Sequence, residues 1–151
     1  MSLSSPNPYA SHNFLVEFLG IRHATFTECI LPVASIEVIE YRQGADAANN
    51  VHKLPGLVKY GNLVLKRGLA SSMAIWDWFS TFVAGAGAPQ TVKVILLDSA
   101  RNPVIAWEFS NAWPVKYESP PLSGKANVLA IETLELAVDG MQITVAPSQE
   151  A

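Results

Sequence analysis

Histidine, cysteine and glutamate are the side chains of this sequence whose chemistry could support a catalytic or metal site. His12, His23 and His52 are scattered over predicted loops, and their spacing would not hold a metal ion. The chain has one cysteine, and no His-x-x-x-His pattern or paired carboxylate lies near the histidines. Because a structural zinc site needs about four such ligands at characteristic spacings, we expect no metal and no cofactor.

Cys29, beside Glu28, is a candidate nucleophile, but a thiol needs a nearby base to activate it. A lone cysteine in a predicted strand is more often a buried apolar side chain than a catalytic group. The glycines of segment 85–88 end a predicted helix, whereas a phosphate-binding loop opens one. Glu132 and Glu135 fit solvated or inter-subunit positions better than an acid/base pair. The residues therefore favour a protein that is not an enzyme.

The composition indicates apolar surface that is covered by partners. Hydrophobic residues make up 50% of the chain, the mean hydropathy is +0.23, and charged residues are only 15%. A soluble domain usually carries about 25% charged residues. We therefore expect a single domain, residues 1–151, that hides part of its apolar surface against other subunits.

Targeting and nucleic-acid signals are not found in the sequence. Segment 1–12 is rich in Ser, Pro and Asn without a basic or apolar region, so we expect a flexible N-terminus, no secretory signal peptide and assembly in the cytoplasm. No apolar run approaches the roughly 18 residues of a membrane helix. The net charge of −3 gives no electrostatic footprint for nucleic acid.

Basic residues are concentrated in one stretch between Tyr41 and Arg67. One interpretation is a solvated basic loop. The other is one side of a charge-complementary contact with a second copy of the chain, whose acidic partners could include Asp139. The stretch contains Arg42, Lys53, Lys59, Lys66 and Arg67 against only Asp46.

Alternating apolar residues predict the strands of the first half of the chain. Residues 14–19 and 24–31 are expected to form a hairpin turned near Gly20. Segment 33–41 alternates as a half-buried strand, and 58–66 alternates as another. Between them, 43–56 breaks all periodicity and is predicted to be a long loop with a functional role.

One amphipathic helix is predicted over residues 72–84. Ser71 or Ser72 can cap it, and Gly85 and Gly87 stop it. Trp76 falls off the apolar stripe, so we expect it to pack against a sheet rim or a neighbouring subunit. The stripe itself has helical spacing and consists of Ile75, Trp78, Phe79, Phe82 and Val83.

The second half of the chain is again predicted to be strands. Segments 91–97 and 104–109 form a hairpin through 98–103, and Pro114 makes 113–117 a bent edge segment. Further strands are expected at 128–138 and 141–145, before a polar tail at 146–151. The pattern indicates a mainly β barrel or sandwich of about seven to nine strands with one helix across an open end.

Six segments, in order, resemble the tail tube family shared by contractile phages and phage-tail-like injection systems. Each is short, but together they extend over almost the whole chain. They are 38–44 (VIEYRQG), 53–62 with 65–68 (KLPGLVKYGN and LKRG), 76–78 (WDW), 94–98 (VILLD), 107–109 with 111–114 (WEF and NAWP), and 131–136 (IETLEL).

This resemblance implies two packed antiparallel sheets with a flanking helix, assembled as a hexameric ring. Rings would stack into a hollow tube inside a sheath, with baseplate or spike proteins and a cap at the ends and cargo in the lumen. The final location would be a virion or a phage-tail-like particle. Segment 43–56 is similar to the family's extended loop that reaches neighbouring subunits.

The sequence thus predicts a structural tube subunit, and two alternatives stay open. One is a tube-initiating baseplate subunit of the same family. The other is a monomeric β-barrel that binds a small ligand, which would need a pocket with converging polar groups. For the tube subunit, the predicted inter-subunit residues are Arg42, Lys53, Leu54, Pro55, Leu57, Lys59, Trp113, Glu132 and Glu135.

Overall fold

Strands dominate the computed structural model, which describes residues 10, 13–18, 20–23, 26–44, 50–69, 72–125 and 129–145. The predicted N-terminal segment and polar tail lie almost wholly outside the described residues. The elements are β1 (Phe14–Phe18), β2 (Ile21–His23), β3 (Phe26–Ile30), β4 (Ala34–Tyr41), β5 (His52–Tyr60), β6 (Leu63–Gly68), α1 (Ala74–Val83), β7 (Gln90–Leu97), β8 (Pro103–Glu118), β9 (Ile131–Ala137) and β10 (Gly140–Val145).

Two antiparallel layers share the long strand β8. In the first layer the strand order is β2-β1-β7-β8, with β10 on the far side of β8. In the second layer the order is β8-β9-β6-β3. The predicted sandwich is confirmed. The layers do not close into a barrel, because the outer strands β2 and β3 do not pair with each other in the described part of the chain.

β8 passes from one layer to the other at a corner beside Asn111. Asn111 has a positive φ of 50°, a conformation that asparagine adopts more readily than most residues. Its Nδ2 donates to Asp139 Oδ2 at 3.3 Å, and the Asp139 N–H donates to the Ser110 carbonyl at 3.0 Å. β8 pairs with β10 up to Ser110 and with β9 from Trp113 onwards. The corner in β8 therefore coincides with the change of its partner strand.

The core lies between the layers and consists of alternate residues of the strands. Phe18 is fully buried, stacks on Trp78 of α1 at 5.6 Å and meets Phe26 edge-on at 6.2 Å. Through Trp78 the helix thus contributes to this core. The strand residues of this core include Val16, Leu63, Leu65, Val92, Val94, Phe109, Leu134 and Leu136.

α1 is shorter than predicted and is capped differently. It begins at Ala74, with Met73 at the N-cap position and no side-chain cap. Ile75 and Trp78 are buried, whereas Phe79 is only half-buried and Val83 is 71% exposed. The helix therefore buries a narrower stripe than its apolar spacing indicates.

Two strand predictions are wrong. The expected hairpin between 14–19 and 24–31 does not form, because β1 turns at Gly20 to pair with β2, and β3 pairs with β6 in the other layer. The expected single strand over 58–66 is divided into β5 and β6 at Gly61 and Asn62. The predicted β7–β8 hairpin is confirmed, with the Asn102 N–H donating to Asp98 Oδ1 at 2.8 Å.

Candidate assembly surface

β4 and β5 form an antiparallel hairpin that belongs to neither layer, and we call it the arm. At its base the Gly61 N–H donates to the Val33 carbonyl at 2.9 Å. Among the described elements, the two strands make extensive contact only with each other. The prediction of a loop over 43–56 is corrected here, since β5 begins at His52 and residues 52–55 are paired with β4.

A β-bulge in β5 shapes the middle of the arm. Ile36 pairs with Val58 and Val38 pairs with Pro55, so Gly56 and Leu57 both lie opposite Glu37. A Cβ atom at Gly56 would stand 3.0 Å from the Glu37 carbonyl oxygen and 3.1 Å from the Ile39 side chain. A side chain at this position would therefore be crowded against β4. The next residue of the bulge, Leu57, has a side chain that is 70% exposed.

Both faces of the arm carry exposed apolar side chains. Side chains of a strand alternate between faces, and residues paired across two strands share a face. One face carries Ile36 and Val38 with their partners Val58 and Pro55, and all four are exposed. The opposite face carries Ile39 with its partner Leu54, followed by the bulged Leu57, and these are exposed too.

An arm of this kind is poorly stable by itself. A lone two-stranded ribbon is marginal in water, and neither outer edge of β4 or β5 pairs with another strand in the described chain. Contiguous exposed apolar residues often mark sites of protein contact. Within the described part of the chain, the arm is therefore a surface that other protein would be expected to cover.

The predicted inter-subunit residues divide between the arm and the sandwich. Lys59 makes an exposed ion pair with Glu37 at 4.0 Å, and Lys53 lies opposite Glu40 in the register. The basic stretch is thus partly neutralised within its own chain. Those located on the arm or directly after β4 are Arg42, Lys53, Leu54, Pro55, Leu57 and Lys59.

Trp113, Glu132 and Glu135 lie on the sandwich. Trp113 is 39% exposed and stacks on Phe82 at 6.0 Å, so part of its ring faces solvent beside α1. One carboxylate oxygen of Glu135 accepts a hydrogen bond from Asn62 Nδ2 at 2.9 Å, next to the base of the arm. Trp113 and Glu135 thus each keep accessible surface in the isolated chain.

Glu132 belongs to a buried polar cluster. Its Oε1 accepts from Arg67 Nε in an ion pair, and its Oε2 accepts from the Tyr117 hydroxyl at 2.6 Å. Arg67 and Glu132 are 2% and 4% exposed. Contrary to the expectation from sequence, Glu132 has no exposed carboxylate to offer to a neighbouring subunit. Its partner is Arg67 of its own chain, a member of the same basic stretch.

The polar cluster also contacts the segment that precedes α1. Arg67 Nη2 donates to the Ser72 carbonyl at 2.8 Å, just before the helix begins. Desolvation by burial, followed by the hydrogen bond to Glu132, raises the pKa of Tyr117. Since Arg67 lies on β6, Glu132 on β9 and Tyr117 on β8, the cluster joins three strands to the helix.

A shallow apolar slot opens beside the cluster. It has a volume of about 260 Å³, and its lining includes Leu69, Met73, Trp76 and Tyr117 together with the buried Glu132. Leu69, Met73 and Trp76 are all exposed. Trp76 packs on Tyr117 edge-on at 5.2 Å, which confirms that it lies off the buried stripe and against the rim of a sheet.

The slot was not predicted from the sequence. Met73 and Trp76 are three residues apart, a spacing that places both on one side of a helix. This spacing was the only sign in the sequence that could have indicated an apolar surface there. Leu69 comes from the preceding connection and Tyr117 from β8, so only the folded chain brings them together.

Among the residues that the structure describes, those considered for catalysis are not grouped; His12 lies outside them. Burial raises the pKa of the Cys29 thiol from 9.0 to about 12, which disfavours the nucleophilic thiolate. Across the described ranges, no group of three or more His, Cys, Asp or Glu is arranged to hold a metal ion. The same part of the chain contains no helix with the length and apolar character needed to cross a bilayer.

Comparisons with known proteins point to one kind of assembly. The family model for the T4-like virus tail tube protein gp19 matches residues 10–142. No curated protein sequence matches the chain. Among solved structures, a chain of the anti-feeding prophage baseplate is 29% identical with a TM-score of 0.81, covering 92% of this chain and 97% of that one.

Two further solved structures share the fold. A chain of the sheath-tube complex of an extracellular contractile injection system, in its extended state, has a TM-score of 0.84 at 22% identity, covering 94% of this chain and 95% of that one. A chain of the tube-terminating cap of the anti-feeding prophage also has a TM-score of 0.84, at 24% identity, covering 97% of each chain.

Proposed function

Because the chain belongs to the T4-like virus tail tube protein gp19 family, we propose that it is a structural subunit of the inner tube of a contractile injection apparatus. In this proposal six copies form a ring, and rings stack into a hollow tube inside a sheath. The subunit is assembled in the cytoplasm and acts without catalysis or a cofactor. Other partners are baseplate or spike proteins and a cap at the tube ends.

The arm is the observation that carries the proposal. A ribbon with apolar residues on both faces and two unpaired edges gains stability only when other protein covers it. In a homo-oligomer with closed symmetry each arm can be covered by a neighbouring copy, and every copy is satisfied in the same way. The low charged fraction of 15% fits a subunit whose surface is largely shared with copies of itself.

The experiment is to purify the full chain and follow its size by sedimentation velocity from nanomolar to micromolar concentration. Rings with sixfold symmetry, and tubes of stacked rings, are expected by negative-stain microscopy without any added nucleotide or metal. A chain that stays monomeric throughout this range contradicts the proposal and favours the alternative of a ligand-binding module.

A second candidate is the tube-initiating baseplate subunit. It is favoured by the similarity to the anti-feeding prophage baseplate chain, which has 29% identity. A main tube protein should elongate alone into tubes of many rings, whereas an initiator should not elongate alone. Measuring tube length as a function of protein concentration distinguishes the two, since only the main tube protein gives longer tubes as the concentration rises.

A further inference from the structure

The slot beside α1 combines apolar walls with a buried polar group. Its lining includes Leu69, Met73 and Trp76, and the ring planes of Trp76 and Tyr117 stand at 64° with their centroids 5.2 Å apart. Aromatic rings set at an angle and a methionine side chain are favourable surroundings for a further aromatic ring. Since an apolar cavity of about 150 Å³ accommodates benzene, the slot of about 260 Å³ has room for a two-ring molecule.

The buried polar groups beside the slot offer acceptors to a ligand. The Tyr117 hydroxyl donates its proton to Glu132 Oε2, so its oxygen can only accept from a further partner. An ionised carboxylate has about four acceptor positions, and the described bonds from Arg67 and Tyr117 occupy two of them. The hydroxyls of Ser72 and Ser119, which also line the slot, can donate or accept. A molecule that reaches the polar end should therefore carry an N–H or O–H donor.

The charges of the cluster favour an uncharged molecule. Arg67 and Glu132 are both buried and neutralise each other. An anion in the slot would lie beside the Glu132 carboxylate. A cation would lie near the Arg67 guanidinium without an unpaired carboxylate to balance it. Burying an uncompensated charge is costly, so neither sign of charge is matched by this site.

We propose that the slot binds a small, flat, uncharged aromatic molecule that carries an N–H or O–H donor, the chemical class of indoles and phenols. The described lining consists of seven residues, whereas a standard protein interface has about 20–30 residues on each side. The size of the slot therefore fits a small molecule. This inference goes beyond the proposed function and does not depend on it, because it concerns α1 and the polar cluster and not the arm.

The first test uses indole as the probe and the full chain labelled with ¹³C on its methionine methyl groups. The chain has three methionines, and Met73→Leu identifies the resonance of Met73. Indole should shift this resonance with a dissociation constant of about 1 mM or tighter. Met141 lies on β10 and packs against the core, so its resonance should not shift. Subunits and rings are measured by solution NMR, and tubes by magic-angle spinning.

The second test compares matched ligands and matched variants. N-methylindole keeps the two rings but has no donor, so it should bind about 3–10-fold more weakly than indole. Trp76→Ala should weaken indole binding about 10-fold. Leu69→Ala, whose side chain is exposed, is the second variant if Trp76→Ala does not fold. Val83→Ala is the control, because Val83 is exposed on the same helix and is not among the described lining residues.

The outcomes separate this inference from the proposed function. A Met73 resonance that does not move in about 5 mM indole overturns the inference, and equal affinities for indole and N-methylindole overturn the role of the donor. A resonance that responds to assembly but not to indole assigns the slot to a neighbouring copy. If rings and tubes form in that case, the tube proposal stands. A shift with indole in a chain that never assembles supports the site and contradicts the tube proposal.

Discussion

The buried ion pair between Arg67 and Glu132 gives the sharpest prediction about stability. Replacing Arg67 by Met keeps most of the side-chain volume but leaves a carboxylate that is 4% exposed with only the Tyr117 hydroxyl as partner. Removing one member of a buried pair costs about 3–5 kcal/mol of unfolding free energy. At roughly 2–4 °C per kcal/mol for a chain of this size, we expect the melting temperature to fall by about 6–20 °C.

A double variant distinguishes an unpaired charge from lost packing. Replacing both residues, as Arg67→Met with Glu132→Leu, removes the charge as well as its partner, and such exchanges are often neutral or stabilising. The Tyr117 hydroxyl then loses an acceptor, which costs about 0.5–1.5 kcal/mol. We therefore expect the double variant to be clearly more stable than Arg67→Met alone.

The assay is thermal and urea unfolding of the three proteins, followed by circular dichroism. All are measured at one protomer concentration, because assembly adds stability by mass action. A loss below about 1 kcal/mol in Arg67→Met would mean that the pair is effectively solvated. A double variant no more stable than the single one would refute the argument from the unpaired charge and assign the loss to packing.

Three further predictions concern single residues. The raised pKa of Tyr117 means that its stabilising contribution is complete below its ordinary value of 10.0 and is lost as the pH rises through the raised value. Tyr117→Phe should therefore flatten the alkaline fall of the urea midpoint, and an unchanged fall would contradict this. Because burial raises the pKa of Cys29 to about 12, folded protein at pH 8 should react with a thiol reagent at least ~10-fold more slowly than protein in urea; equal rates would show an accessible thiol. Asn111 has a positive φ, so Asn111→Val should cost about 1–3 kcal/mol in urea unfolding while Asn111→Gly is tolerated, and equal losses would show that the backbone angle is not the cause.

Local sequence patterns predicted where the strands lie better than they predicted which strands pair with each other. Strand alternation identified β7 and β8, and the turn at Asp98 made their pairing predictable because the two strands are adjacent in sequence. The pairing of β3 with β6 joins distant segments, and no local signal in 24–31 distinguishes it from a hairpin. The sequence was therefore sufficient for the class of fold and insufficient for its topology.

The residues of the candidate assembly surface were likewise predicted only in part. Leu57 and Lys59 were predicted as contact residues, whereas Leu69 and Met73 of the slot were not, because only the folded chain brings these two residues together. Glu132 was assigned to a neighbour since its alternation alone does not reveal that Arg67 lies opposite it on β6. Charged residues in strands can be matched only when the register is known.

The bulge at Gly56 also affects subunits that have not yet assembled. A flat ribbon with exposed apolar faces and two free edges would be a template for fibril-like aggregation of newly made chains. The bulge lies in β5, interrupts the ladder between Ile36 and Val38 and increases the local twist, so a second arm would not add along the outer edge of β5 in continuous register. The same irregularity that accompanies the exposed Leu57 is thus expected to disfavour indiscriminate pairing among unassembled subunits.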